Sequence, residues 1–74
     1  MARLIRLDRT GHTTVAEWTA EDESTREAAV EAFRRELDRG LLASVPRADG
    51  GADVVRELPL DAELVVLRRP IAGG

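Results

Sequence analysis

Cysteine and lysine are absent, tyrosine is absent, and histidine, methionine, tryptophan and phenylalanine occur once each in a chain of 74 residues. Without cysteine there is no disulfide framework, no thiolate zinc site and no thiol nucleophile. A lone His12 excludes a His-rich metal centre. No apolar run approaches the ~18 residues that a membrane-crossing helix needs. Nor does the sequence open on a charged segment followed by an apolar stretch of secretory type. These absences lead to the expectation of a cytoplasmic protein with no membrane partner. Length is scarce as well: a chain this short buries only about 60% of the surface that it exposes when unfolded. One small domain is therefore expected, without a large enclosed active site.

Leucine, isoleucine, valine and phenylalanine make up about a quarter of the residues, enough for a modest core despite a charged fraction of 34%. The formal charge is −3 and the isoelectric point about 5.1, so attraction to nucleic acid or anionic lipid should be weak. Nucleic acid is not an expected partner. All 11 basic residues are arginine, which leaves the α-amine as the sole aliphatic amine.

Arg3-Leu4-Ile5-Arg6-Leu7 has strand character, and Asp8-Arg9-Thr10-Gly11 follows as a turn with glycine available for positive φ. In His12 to Trp18, Thr14, Ala16 and Trp18 alternate against Thr13, Val15 and Glu17, which predicts a half-buried second strand antiparallel to the first. Ser24-Thr25-Arg26-Glu27 has capping-box spacing and predicts a helix from about Thr25, with Ser24 as its cap. Val30, Phe33, Leu37 and Leu41 form its apolar stripe, and Gly40 supplies the left-handed stop. Glu21, Asp22 and Glu23 ahead of the helix and Arg34, Arg35 and Arg39 toward its end complement the macrodipole.

Leu41 to Val45 predicts a third strand that Pro46 ends or confines to an edge, and Ala48 to Gly51 predicts a turn. Asp53 to Leu58 predicts a fourth strand and Pro59 to Ala62 a corner. In Glu63 to Arg68, the four consecutive apolar residues Leu64 to Leu67 predict a strand buried on both faces at the middle of the sheet. Residues 1–69 thus read as one α+β domain of ββαβββ order, a roll in which a single helix covers the sheet. The β-grasp is the best-known fold of that order. Residues 70–74, ending in two glycines, are expected to form a flexible tail.

No Cys/His pair, GxSxG, phosphate-binding loop or HExxH occurs, and the carboxylates crowd the helix flanks as a solvated face would. The chain is not expected to be an enzyme. His12 beside Gly11 reads as an exposed imidazole, and Trp18 as a core or sheet-edge residue rather than an interface anchor. The remaining candidate is Gly73-Gly74. A C-terminal glycine leaves its α-carboxylate sterically bare, able to enter another enzyme's nucleotide site and attack the α-phosphate of ATP. The protein is then a substrate. The competing reading is an inert, frayed end.

Gly40 to Val45, Leu58 to Leu67 and the ending Arg69-Pro70-Ile71-Ala72-Gly73-Gly74 resemble the C-terminal half of the molybdopterin synthase small subunit. The opening hairpin, Arg3 to Gly11 and His12 to Trp18, is similar to that of ubiquitin. Both belong to the ubiquitin-like β-grasp family of sulfur carriers and modifiers, with the thiamine sulfur carrier. The resemblance implies that Gly74 is adenylated by a partner activating enzyme, which uses the ATP, while this chain binds no cofactor or metal of its own. The carboxylate then becomes a thiocarboxylate or is attached singly to an acceptor protein or synthase subunit. Gly73, Ala72, Ile71 and Pro70 would thread the activating enzyme, and Arg69 and Arg68 would hydrogen-bond its acidic groups. Lysine-linked polymers are excluded because no lysine exists to accept the next copy. The alternative is a non-catalytic β-grasp module for protein binding or structural assembly, using sheet residues from Leu41 to Val45 and Val54 to Leu58.

Overall fold

In the computed structural model, which describes residues 1–70, the chain runs through two strands, a helix and three strands. They are β1 (Ala2–Asp8), β2 (Gly11–Trp18), α1 (Glu23–Asp38), β3 (Leu42–Pro46), β4 (Ala52–Val55) and β5 (Leu64–Arg68). The strands form a mixed five-stranded sheet of order β2-β1-β5-β3-β4, in which β1 and β5 are parallel and the other pairs antiparallel. Among the described residues α1 is the one helix, and it packs on one face of this sheet. The result is a small α+β structure.

The apolar run Leu64 to Leu67 lies in the central strand, as its composition predicts, because only a strand with neighbours on both sides and cover on one face can bury consecutive side chains. Val65 and Leu67 point toward α1 with Leu4, Ala43 and Trp18. Ala29 and Phe33 meet them from the helix, and Leu41 and Leu58 close the core from flanking segments. Fully burying side chains of this kind contributes about 1.5–3 kcal/mol each.

Four local expectations are corrected. The helix cap is Asp22, not Ser24: the Asp22 carboxylate accepts from the Ser24 and Thr25 backbone N–H groups at 3.0 and 3.3 Å, and the Ser24 hydroxyl donates to it at 2.8 Å. A carboxylate at the cap brings a negative charge to the positive end of the dipole, which a serine hydroxyl lacks. The buried side of α1 is set by Ala29, Ala32, Phe33 and Glu36, while Val30 and Leu37 are only half-buried. Small alanines let the helix approach the sheet, which rotates the stripe. In β2 a bulge opposite Leu4 and Ile5 leaves Val15 as the extra residue, so both Val15 and Ala16 pack toward the core and strict alternation fails. Finally, β4 ends at Val55 instead of Leu58; Arg56 and Glu57 bend away and Leu58 enters the core from outside the sheet.

The expected helix stop is present in full. Gly40 has φ +93°, and its N–H and that of Leu41 donate to the carbonyls of Leu37 and Glu36 at 2.9 and 3.3 Å, the paired bonds of a Schellman turn. Among the described residues no helix is long and apolar enough to cross a membrane.

Candidate functional site

The candidate residues named from the sequence begin where β5 runs out. Arg68, the last residue of β5, pairs with Leu42 of β3, and Arg68, Arg69 and Pro70 are all exposed. Ile71, Ala72, Gly73 and Gly74 lie outside the described residues. The central strand therefore leaves the sheet at its surface, between the ends of β1 and β3.

Arg69 lines an open cleft of about 830 Å³ at this end of the molecule. Its other walls come from three separate elements: the end of β1 and the hairpin turn (Arg6, Leu7, Asp8, Arg9, Thr10), the helix cap Arg39, and Leu41 just beyond it. Each is held by local chemistry. Asp8 Oδ1 accepts from both the hydroxyl and the backbone N–H of Thr10 at 2.8 Å, which shapes the turn. The Thr10 hydroxyl, then its N–H, holds the Asp8 carboxyl below the ordinary carboxylate range. The Schellman turn fixes Arg39 at the negative end of the helix dipole.

Arg6 is the least expected member. On the helix side of β1 the order is Ala2, Leu4, Arg6, so an arginine stands where the pattern calls for another apolar residue. Its guanidinium reaches Glu36 on α1 at 2.5 Å, and Glu36 also accepts from Arg39 at 3.0 Å. Glu36 is only 4% exposed, yet no buried side-chain polar atom among the described residues lacks a partner. One buried carboxylate thus ties β1 to the end of α1 and holds two guanidinium groups at the rim of the cleft.

The sequence did not single out Arg6, Arg9, Arg39 and Glu36 as a group. Two signals were present: an arginine in phase with the inward residues of β1, and a glutamate three positions after Phe33 on the inward side of α1. Only the packing of strand on helix brings them together.

Elsewhere the titratable groups serve the fold. Asp22 caps α1, and hydrogen bonds from the Ser24 hydroxyl and then the Thr25 N–H lower its pKa. Arg47 clamps the β3–β4 turn through Asp53 at 2.7 Å and Asp49 at 3.2 Å; the Gly51 N–H, and then Arg47, lower the pKa of Asp49. His12 is exposed opposite Leu7, and Trp18 is 1% exposed with its indole N–H on the Leu60 carbonyl at 3.1 Å. No group of three or more potential metal ligands occurs among the described residues. No protein-family model, curated protein or solved structure matches the chain.

Proposed function

We propose that the chain is a β-grasp, ubiquitin-like carrier protein whose working group is the carboxylate of Gly74. Its parallel β1 and β5 at the centre of the sheet, with a hairpin ahead of one helix and β3 and β4 after it, are consistent with such a fold and support the reading. One observation carries the reading: the most buried strand ends at the exposed sequence Arg68-Arg69-Pro70, so the segment leading to Gly74 starts from a rigid base at the surface. The folded part is a handle. In a partner enzyme the Gly74 carboxylate oxygen attacks the α-phosphorus of ATP and pyrophosphate leaves. Hydrosulfide or an amine then attacks the acyl carbon, AMP leaves, the nucleophile loses a proton, and a thiocarboxylate or a single amide results. The groups that catalyse these steps belong to the partner, and the absence of lysine excludes lysine-linked polymers and fits a sulfur carrier or a singly attached modifier.

Intact mass measured on protein from its native cells tests this directly. A species heavier by the difference between sulfur and oxygen, or an adduct through Gly74, is expected. Truncation of Gly73 and Gly74 removes that species while circular dichroism stays unchanged. A chain that never carries a modification at Gly74, in cells that contain its activating enzyme, overturns the proposal.

A second reading, a module for protein binding or assembly, draws on the uncovered face of the sheet, where Leu7, Leu42 and Val54 are 42, 46 and 68% exposed. Residues appended after Gly74 block adenylation but leave such binding intact, which separates the two.

A further inference from the structure

Four arginines from four places in the sequence meet around one cleft. Arg6 comes from β1, Arg9 from the hairpin turn, Arg39 from the cap of α1, and Arg69 from the end of β5. Two carboxylates stand among them, and both are engaged: Glu36 is shared between Arg6 and Arg39, and Asp8 accepts two bonds from Thr10. Arg9 and Arg69 have no ion-pair partner among the described residues. The cleft therefore carries an excess of positive charge in a protein whose net charge is −3.

The buried ion cluster is not required to hold strand and helix together, since a well-packed apolar pair does so at least as firmly. What it adds is position. Guanidinium groups on long side chains ordinarily lose rotamer freedom on binding; Arg6 and Arg39, anchored through Glu36, have already lost much of theirs.

From this geometry we infer that the cleft is a docking site for an acidic segment of a partner protein, one in which spaced carboxylates alternate with apolar side chains. Leu7, 42% exposed, and Leu41, 7% exposed, add apolar surface to the lining of the cleft, and planar guanidinium forks match carboxylates in two-point hydrogen bonds. A compact phosphate needs free donors converging on one point, whereas the two that converge, Arg6 and Arg39, already share the Glu36 carboxylate, and Arg9 and Arg69 come from two further elements of a cleft of about 830 Å³ that also holds Asp8. A nucleic acid strand would extend beyond the cleft onto a surface of net negative charge. Neither of the chain's two aromatic residues is exposed for base stacking, Trp18 and Phe33 being 1% and 3% exposed. Three of the four arginines lie outside the C-terminal segment, so the inference stands or falls independently of the carboxylate chemistry proposed above.

The test is a titration of the ¹⁵N-labelled full chain with a short peptide of alternating glutamate and leucine, alongside the same peptide with glutamine for glutamate. Amide shifts at Leu7, Thr10, Arg39 and Arg69 are expected with the glutamate peptide alone, and its affinity should fall as salt is raised. The double variant Arg9→Glu/Arg69→Glu alters two exposed side chains that support no other residue. It should keep the wild-type spectrum elsewhere and weaken binding by at least about tenfold. Arg3→Glu, near the other end of β1 and outside the cleft, should change affinity far less. The inference is overturned if the glutamate peptide does not bind or shifts residues elsewhere, if the glutamine peptide binds equally, or if the double variant binds as before. Tighter binding of inorganic pyrophosphate, a single-stranded oligonucleotide or anionic vesicles to these same residues also overturns it.

Discussion

The two ends of α1 handle a carboxylate in opposite ways. At the N-terminal end Asp22 is exposed, and every partner of its carboxylate lies within three residues along the chain: the Ser24 hydroxyl and N–H and the Thr25 N–H. At the C-terminal end Glu36 is buried, and its shortest contact is to Arg6, 30 residues away on another element. The first interaction forms as soon as the helix does. The second exists only after the helix has landed on the sheet. An exposed carboxylate keeps most of its hydration and contributes modestly, whereas a buried one is stable only while its charged partners stay in place. The N-terminal end is therefore a local device that orients the helix, and the C-terminal end a tertiary device that holds two guanidinium groups at the rim of the cleft.

The largest loss of stability lies beside the N-terminal end, where the largest side chain of the core stands just ahead of the helix. Trp18→Ala removes that side chain and the indole bond to the Leu60 carbonyl, and should cost about 3–5 kcal/mol in urea unfolding. A loss under about 1 kcal/mol would show that Trp18 is not the anchor described.

At the other end, Arg6→Ala leaves Glu36 buried with Arg39 as its one remaining partner and should cost about 2–3 kcal/mol. Replacing both residues, Arg6→Leu with Glu36→Leu, should return stability to within about 1 kcal/mol of the parent. Simple addition of the two single effects would mean that they are not coupled, and the tertiary device would lose its physical basis.

The smallest effect is the acid dependence of the exposed carboxylates. Asp8, Asp22 and Asp49 all have pKa values below the ordinary value of 3.8, because each accepts hydrogen bonds in its ionised form. In the window between the lowered folded values and the ordinary unfolded one, the unfolded chain binds more protons. Their contribution is thus complete above about pH 5 and is lost as pH falls through the folded values. Thermal melts followed downward from neutral pH should show this loss, and Asp22→Asn should reduce it. An Asp22→Asn melt with the same acid dependence as the parent would exclude Asp22 as a contributor.

Much of the architecture was legible because it rests on local rules. The hairpin turn at Asp8 to Gly11, the stop at Gly40 and the central place of Leu64 to Leu67 each follow from a short stretch read alone. The cap was displaced by two residues because Asp22 and Ser24 both offer a cap oxygen, and the negatively charged one sits at Asp22. The buried side of α1 was misjudged because hydropathy ranks Val30 and Leu37 above Ala29 and Ala32, although close approach to a sheet favours the smaller side chains. The bulge at Val15 left no mark in composition. Of the candidate site, Arg68, Arg69 and Pro70 were legible as the exposed continuation of the last strand, while Arg6, Arg9 and Arg39 were not.

Net charge and local charge differ for the same reason. It sums over the surface, whereas binding depends on the field at one place. By itself, the order of residues determined which segments become strands and helix, where they turn, and that arginine is the only cationic side chain. Tertiary structure alone decided that four of those arginines share one cleft and that one glutamate is buried between two of them. Turn, cap and alternation rules act over a few bonds, but a charge cluster is a property of distance in space, which the chain acquires only by folding.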